Sequence, residues 1–313
     1  MAEASAPAKA ILLGEHAVVF GEPAIAVALD LRTRVRVEGR GTVVMVNGEP
    51  LQDKLRLPHI HHALALTGEP WGPLDIRIDT QVPSSAGLGS SAALSAALVA
   101  ALLQHKGLAV QPREVARLAF EVERAVQEGR ASPTDTSTSV AGGAVMVDAS
   151  QGPDALWDFE RGGRHWFLHR LQAADLTLVI GHSGQRGSTA QMVAKVAQAA
   201  RDDPAAMGVV KELGELARQG AKAARDGDLR ALGQLMDRAH AGLQRLGVST
   251  ARLDELVQAA RPASYGAKLT GAGGGGSILA LTDRPQEVAE ALRAKGCQPL
   301  VTRVSQRGLE VAP

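Results

Sequence analysis

The chain carries a single cysteine, Cys297, among 313 residues, so an internal disulfide is impossible. Aromatic residues are nearly as scarce, 3% against a hydrophobic content of 45%, and any core must be assembled from Leu, Val, Ile and Ala. Neither sign of charge dominates: 34 Lys and Arg stand against 33 Asp and Glu, for a formal net charge of +1. Such a balance offers no polyelectrolyte footprint and argues against a nucleic-acid partner. Long apolar runs are missing too. The longest, residues 92–103, is broken by Ser95 and is shorter than the roughly 20 residues a membrane helix needs. The opening "MAEASAPAKA" has no basic region followed by an apolar stretch of signal-peptide length. The expectation is a cytoplasmic chain with no membrane partner, long enough for two domains at about 150 residues each.

Glycine is the opposite case, with 34 residues, and two clusters of it stand out. The first lies in "PSSAGLGSSAALSAALVAALLQ", residues 83–104, where Ser90 or Ser91 can cap a run of good helix formers. That run has almost no polar face, which marks a buried helix. Ahead of it, Leu74, Ile76 and Ile78 alternate with Asp75, Arg77 and Asp79, the period of a half-buried strand. A strand, a glycine loop and a helix N-terminus in that order suit an anion: free amides attract it, and Gly87 and Gly89 let the backbone approach. Tight loop packing accounts for the same glycines without a ligand. The second cluster, "KLTGAGGGGS" at residues 268–277, precedes the strand pattern "SILALT" and by itself reads as a bulge or hairpin turn.

Both clusters formally match the dinucleotide fingerprint, through Gly271, Gly273 and Gly276 and through Gly87, Gly89 and Ala92. The former opens no helix. The strand before the latter alternates in polarity, and the acid expected about 20 residues on, Glu114, would lie on a helix, so a nicotinamide enzyme is disfavoured.

Elsewhere the first third reads as strands: "PAKAILLG", then "TRVRVEGRGTVVMVNG" with Val35, Val37, Val44 and Val46 in alternation, then "LDIRIDTQV". Helices are expected over residues 90–107 and 112–128, strands at "GGAVMVD" and "LTLVIGHSG", and helices again over residues 187–261 with breaks near 202–204, 227 and 247. The chain closes with strands at "YGAKLTG", "SILALTD" and "QPLVTRV" around a helix over residues 284–295. Two α+β halves meet near residues 150–170.

Several polar residues could carry chemistry. On the helix "PREVARLAFEVERAVQE", Glu123 falls roughly 80° from the centre of the apolar stripe, whereas Glu121 and Glu128 fall roughly 120° or more from it. Glu123 is thus half inside, placed either for a metal or for a surface ion pair. Asp135 sits in "ASPTDTSTSVAGG", as an Asx-turn residue or as a carboxylate near a substrate hydroxyl, with Thr136, Thr138 and Ser139 beside it. Lys9 shares a strand face with Ile11 and Leu13 and either snorkels or meets an anion. "HIHHAL" lacks Cys or acidic partners at a metal spacing and reads as surface histidines on a short helix, and Cys297 as an apolar filler.

Taken in order, "PAKAILLGEHAVVFGEPAIAVALD", "PSSAGLGSSAALSAAL" and "AKLTGAGGGGSILAL" resemble the three motifs of the GHMP kinase family, the galacto-, homoserine, mevalonate and phosphomevalonate kinases. They span residues 7–281. "GEHAVVFG" and "EVERAVQEGRASPTDTSTSVAGG" are similar to the family's mevalonate branch. The first motif departs in reading Pro-Ala-Lys for Pro-Gly-Lys, and the second in "PSSAGLGSS" for "PPGAGLGSS"; neither change touches a catalytic group.

The resemblance implies an α+β, two-domain fold: an N-terminal mixed α/β ATP-binding domain over 1–165, a ferredoxin-like domain over 166–313, and the active site in the cleft between them. It implies transfer of phosphate from ATP, with Mg²⁺ as cofactor, to the 5-hydroxyl of mevalonate. A phosphomevalonate kinase or another acceptor within the family is an alternative; a silent ATP-binding regulator is disfavoured by the presence of Lys9, Ser91, Glu123 and Asp135. Ser85, Ala86, Gly87, Leu88, Gly89, Ser90 and Ser91 would wrap the ATP phosphates, and Ser91 and Glu123 would hold Mg²⁺. Asp135 would face the hydroxyl as base or charge stabiliser, paired with Lys9. Glu15, His16 and Thr138 would lie near the substrate, with Gly273 in a loop that closes against both ligands. Dimers among relatives leave a homodimer open.

Overall fold

A computed structural model describes residues 1–51, 56–68, 70–83, 86–129, 131–152, 154–173 and 175–313. Strand β1 (Ala2–Leu13) runs antiparallel to β2 (Ala24–Glu38) along almost their whole length. Both are longer than their alternating parts. In β2, residues 24–29 are all buried and alternation begins only near residue 33, where one face meets solvent. Period-2 patterning is legible only in a half-exposed strand, which is why residues 2–6 and 24–29 carried no strand signal while "PAKAILLG" did only as an apolar run.

The first sheet is completed by β3 (Met45–Val46), β4 (Glu49–Pro50), β5 (Asp75–Thr80), β6 (Ala144–Asp148), β7 (Ala155–Arg161) and β8 (Arg164–Leu171), in the order β4-β3-β5-β2-β6-β8-β7. The alternation through Val44 and Val46 yields only the two residues of β3. On one face lie α1 (Pro58–Leu66), α2 (Ser90–His105), α3 (Pro112–Val126) and α4 (Thr134–Ala141). Helix α2 packs on β1 and β2 and is buried along nearly all of its length, as an all-apolar helix must be. The segment around Asp135, for which an Asx-turn is one of the two readings above, is helical: Asp135 occupies the first turn of α4, where a carboxylate suits the helix dipole.

The second sheet has the order β10-β11-β9-β12, from β9 (Thr177–His182), β10 (Gly266–Thr270), β11 (Ser277–Leu281) and β12 (Pro299–Arg303), all antiparallel. Helices α5 (Thr189–Asp202), α6 (Pro204–Asp226), α7 (Leu229–Arg245) and α8 (Ala251–Ala260) break where expected, at Asp203, Gly227 and near Gly247. Helix α9 (Pro285–Ala294) covers β9 and β12. One apolar core joins α6 and α7 to the back of β1 and β2 and to the second sheet. The sheets change over between Leu171 and Thr177, so a division at residue 165 passes through β8. After β12 the chain returns: Val304 bridges to Leu29, and β13 (Glu310–Val311) pairs with β1.

Helix α7 approaches β10 backbone to backbone at Gly233, where a Cβ would lie 2.3 Å from the carbonyl carbon of Tyr265. Gly233→Ala is therefore expected to cost about 1–3 kcal/mol through overpacking. A calorimetric midpoint lowered by several degrees would register it, and an unchanged midpoint would show that this contact is slack.

Candidate active site

The two glycine clusters meet. A Cβ on Gly87, which has φ +76°, would lie 3.0 Å from the Thr270 carbonyl oxygen, and one on Gly271 would lie 3.3 Å from the Gly87 carbonyl oxygen. Ser277 Oγ donates to the Ala86 carbonyl at 2.7 Å, and Thr270 Oγ1 bonds both N–H and C=O of Ile11 at 3.1 Å. Residues without side chains are required for this approach, so tight packing and ligand access are served by the same glycines. Between the loops, β1, α2 and α3 opens a cleft of about 500 Å³.

The N-terminus of α2 points into that cleft. Its N-cap is Gly89, at φ +69°, and not Ser90 or Ser91. With no side-chain cap, the first helical amides have no intrahelical acceptor and remain available to an anion. Ala86, Gly87, Leu88, Gly89, Ser90 and Ser91 all line the cleft, as expected; Ser85 lies outside the described residues.

Lys9 and Asp135 converge at this point. The β1–β2 register shifts here, with the extra residues on β2 between Ala28 and Arg32 opposite Pro7 and Lys9, and the Lys9 N–H donates to Leu88 C=O at 2.9 Å. Its side chain runs against Gly89, where a Cβ would lie 2.7 Å from Lys9 Cε, and its ammonium stands 2.9 Å from Asp135 Oδ2. Lys9 is 3% exposed and Asp135 37%, so the pair presents its carboxylate to the cleft.

Glu123 is more enclosed than its helical angle implied, at 4% exposure. Its Oε2 accepts from Ser91 Oγ at 3.1 Å and Gln127 Nε2 at 2.9 Å, and its Oε1 from Ser95 Oγ at 3.1 Å, with His59 Nε2 at 3.3 Å. Burial pushes this carboxyl up, but the bond and charge from His59, with the bonds from Ser91 and Ser95, outweigh it and hold the group below the usual carboxylate range. Glu121, expected to point outward, is buried as well, held by Arg124 and Arg161. His59 belongs to the "HIHHAL" helix and lines the cleft, so it is more than a surface histidine.

Behind Lys9 lies a second buried pair. Glu15 is 1% exposed and accepts from Lys268 Nζ, which is fully enclosed and also donates to Leu269 C=O at 2.6 Å. Burial raises the Glu15 carboxyl and lowers the Lys268 ammonium, while each opposes the other's shift. His16 takes the strained φ of +62° and bonds Ala272 C=O through Nε2 at 2.9 Å, tying the turn after β1 to the second glycine loop. Glu15, His16 and Gly273 line the cleft. Thr138 does not: it is fully buried, and its Oγ1 donates to Thr134 C=O at 2.7 Å within α4. Thr136 and Ser139 are likewise fully buried.

Lys268 and His59 escaped the sequence reading. Lys268 lies between Ala267 and Leu269 in a strand with five buried residues, so its burial was inferable though its partner was not. His59 gave no local signal, because its partner Glu123 is distant in sequence.

This cleft offers a bare helix N-terminus, a lysine–aspartate pair and an enclosed carboxylate–hydroxyl pair, an arrangement suited to moving a phosphoryl group. Residues 58–143 match the GHMP kinases N terminal domain and residues 221–297 the GHMP kinases C terminal domain. The chain belongs to the GHMP kinase family and is an ATP-dependent phosphotransferase. It is 36% identical to the mevalonate kinase of Thermococcus sibiricus over 98% of this chain and 97% of that one. With the mevalonate kinase of Methanothermobacter thermautotrophicus it shares 41% identity over 88% and 89%. Among solved structures, L. major mevalonate kinase in complex with R-mevalonate aligns with TM-score 0.80 and 25% identity, over 97% of this chain and 96% of that one.

Burial lowers both His16 and His240 from 6.5 to about 4. His240 is neutral, since its Nδ1 accepts from the Leu269 N–H at 3.3 Å and its Nε2 faces Asp254 Oδ1 at 3.0 Å. Between 6.5 and about 4 the unfolded chain binds more protons than the folded one, so stability should fall as pH drops through that window. His240→Gln, which can make both bonds without titrating, should flatten that slope in denaturant melts. An equal slope in the variant would mean that His240 is not a source of the acid sensitivity.

Proposed function

We propose that the chain transfers the γ-phosphoryl group of ATP to the 5-hydroxyl of mevalonate, giving 5-phosphomevalonate and ADP. The observation that carries this reading is the Lys9–Asp135 pair, 2.9 Å apart beside the uncapped N-terminus of α2, in a chain so similar to mevalonate kinases along nearly its whole length. The amides of the first glycine loop and of α2 would hold the phosphates. The acceptor hydroxyl would sit against Asp135, its oxygen forming the new bond to phosphorus as the bond to the ADP oxygen breaks, while its proton passes to the Asp135 carboxylate. The Lys9 ammonium offsets the negative charge that gathers there, and most of the acceleration comes from positioning and electrostatics.

Glu123 and Ser91 fit Mg²⁺. Among the described residues no three His, Cys, Asp or Glu converge on a metal position, and Mg²⁺ is commonly held by one or two protein oxygens, phosphates and water. An ionised carboxylate and a hydroxyl 3.1 Å apart at the cleft wall supply such oxygens. When bound, the ion would neutralise phosphate charge. Glu15, His16 and Gly273 line the same cleft and are assigned to the acceptor side; Thr138 supports α4 and is not assigned a ligand. The two units are taken as 1–165 and 166–313, with the sheet change a few residues later. No described helix is long and apolar enough to cross a membrane, and a cytoplasmic location, with a homodimer as the assembly to test, accords with the composition.

The reading is tested by offering mevalonate, phosphomevalonate and other alcohols with Mg·ATP and following ADP release. Turnover with mevalonate is expected; its absence, or preference for a phosphorylated alcohol, would overturn the acceptor assignment. Asp135→Asn should keep ATP binding and lose roughly 10²–10⁴-fold in kcat, the range for a positioned acid–base group. An undiminished rate would remove Asp135 from the reaction. Glu123→Gln should shift the Mg²⁺ titration to higher concentration, and an unaltered curve would dismiss it as a ligand.

A further inference from the structure

Two ion pairs, Lys268 with Glu15 and Lys9 with Asp135, lie at the junction of the two sheets. Lys268 comes from β10, Glu15 from the turn after β1, Lys9 from β1 and Asp135 from α4. Lys9, Glu15 and Asp135 belong to the cleft wall, whereas Lys268 lies behind it and is not exposed at all. Lys268 Nζ holds Glu15 Oε1; Glu15 Oε2 is buried and receives no hydrogen bond from another residue among the described ones. Glu15 is therefore a desolvated carboxylate with one oxygen engaged and a second able to take a further cation. Apart from Lys268, the cation whose charge it feels is Lys9, and Lys9 in turn acts on Lys268.

We propose that Lys268 is a positioning residue for phosphoryl transfer: by holding the Glu15 carboxylate from behind, it leaves the Lys9 ammonium to Asp135. This rests on the kinase reading above and extends it to a residue that touches neither ligand. Without Lys268, Glu15 becomes a buried anion lacking its partner, an arrangement that proteins relieve by recruiting a neighbouring cation. Lys9 would turn toward Glu15, and the carboxylate facing the acceptor would lose its counter-charge. The damage should be to turnover, not to nucleotide affinity, because the phosphate-binding amides are untouched.

The experiment is a two-residue cycle on the full chain, with wild-type ADP release from mevalonate as control. Lys268→Met is expected to lower kcat by at least about tenfold, equivalent to about 1.4 kcal/mol, with the KM for ATP unchanged. In the Glu15→Gln background there is no anion to restrain, so adding Lys268→Met should change kcat by less than about threefold. If Lys268→Met does not fold, as circular dichroism would report, Lys268→Gln carries the same prediction, because it can keep a hydrogen bond to Glu15 without the charge. A folded Lys268 variant with wild-type kcat overturns the proposal. So does a loss of the same size with and without Glu15, the signature of a merely structural lysine. Absent wild-type turnover would instead remove the kinase reading, and this inference with it.

Discussion

A cation enclosed to 3% exposure needs an anion within reach, and the ion pair of Lys9 with Asp135 is the contact around which this molecule is arranged. It joins β1 to the first turn of α4, elements far apart in the chain. For it to form, β2 must take up extra residues between Ala28 and Arg32 opposite Pro7 and Lys9, the loop beneath the lysine stem must lack a side chain at Gly89, and α4 must begin just before Asp135. Each of these local features is costly or unusual alone. Together they put a carboxylate and its counter-charge next to bare helix amides.

The glycine loops serve the same end from the other side. Loop residues 86–89 and 271–276 touch backbone to backbone, which brings β10 against β1 and β11 against the first loop and closes the wall of the cleft. This close approach also buries Lys268 against Glu15, so the second ion pair follows from the packing that builds the first site.

Much of the scaffold was legible from local pattern. Helix α2 announced itself by an apolar run with no polar face, and the breaks among α5 to α8 by Pro204, Gly227 and Gly247. Of the doubly covered stretches, "PAKAILLG" in β1 reads as a strand but residues 2–6 and 24–29 do not, because a doubly buried Ala-rich strand has no alternation to read. Of the two readings of Asp135, the Asx-turn fails, since Asp135 lies in the first turn of α4; Thr and Ser are weak helix formers, and α4 is held by its surroundings. The cap of α2 was likewise given to a serine when the αL conformation there demanded Gly89.

The sequence by itself determined the class of the chain and its family, and it brought Lys9, Ser91, Glu123 and Asp135 forward as candidates, because motif spacing and side-chain chemistry are properties of the chain alone. Tertiary structure decided which oxygens and nitrogens meet: His59 with Glu123, Lys268 with Glu15, and Thr138 turned into its own helix. Those pairings depend on how separate elements pack, and desolvation inside that packing sets the charge of groups such as His240. No local window of sequence contains either partner's surroundings, so neither could be read before the fold was assembled.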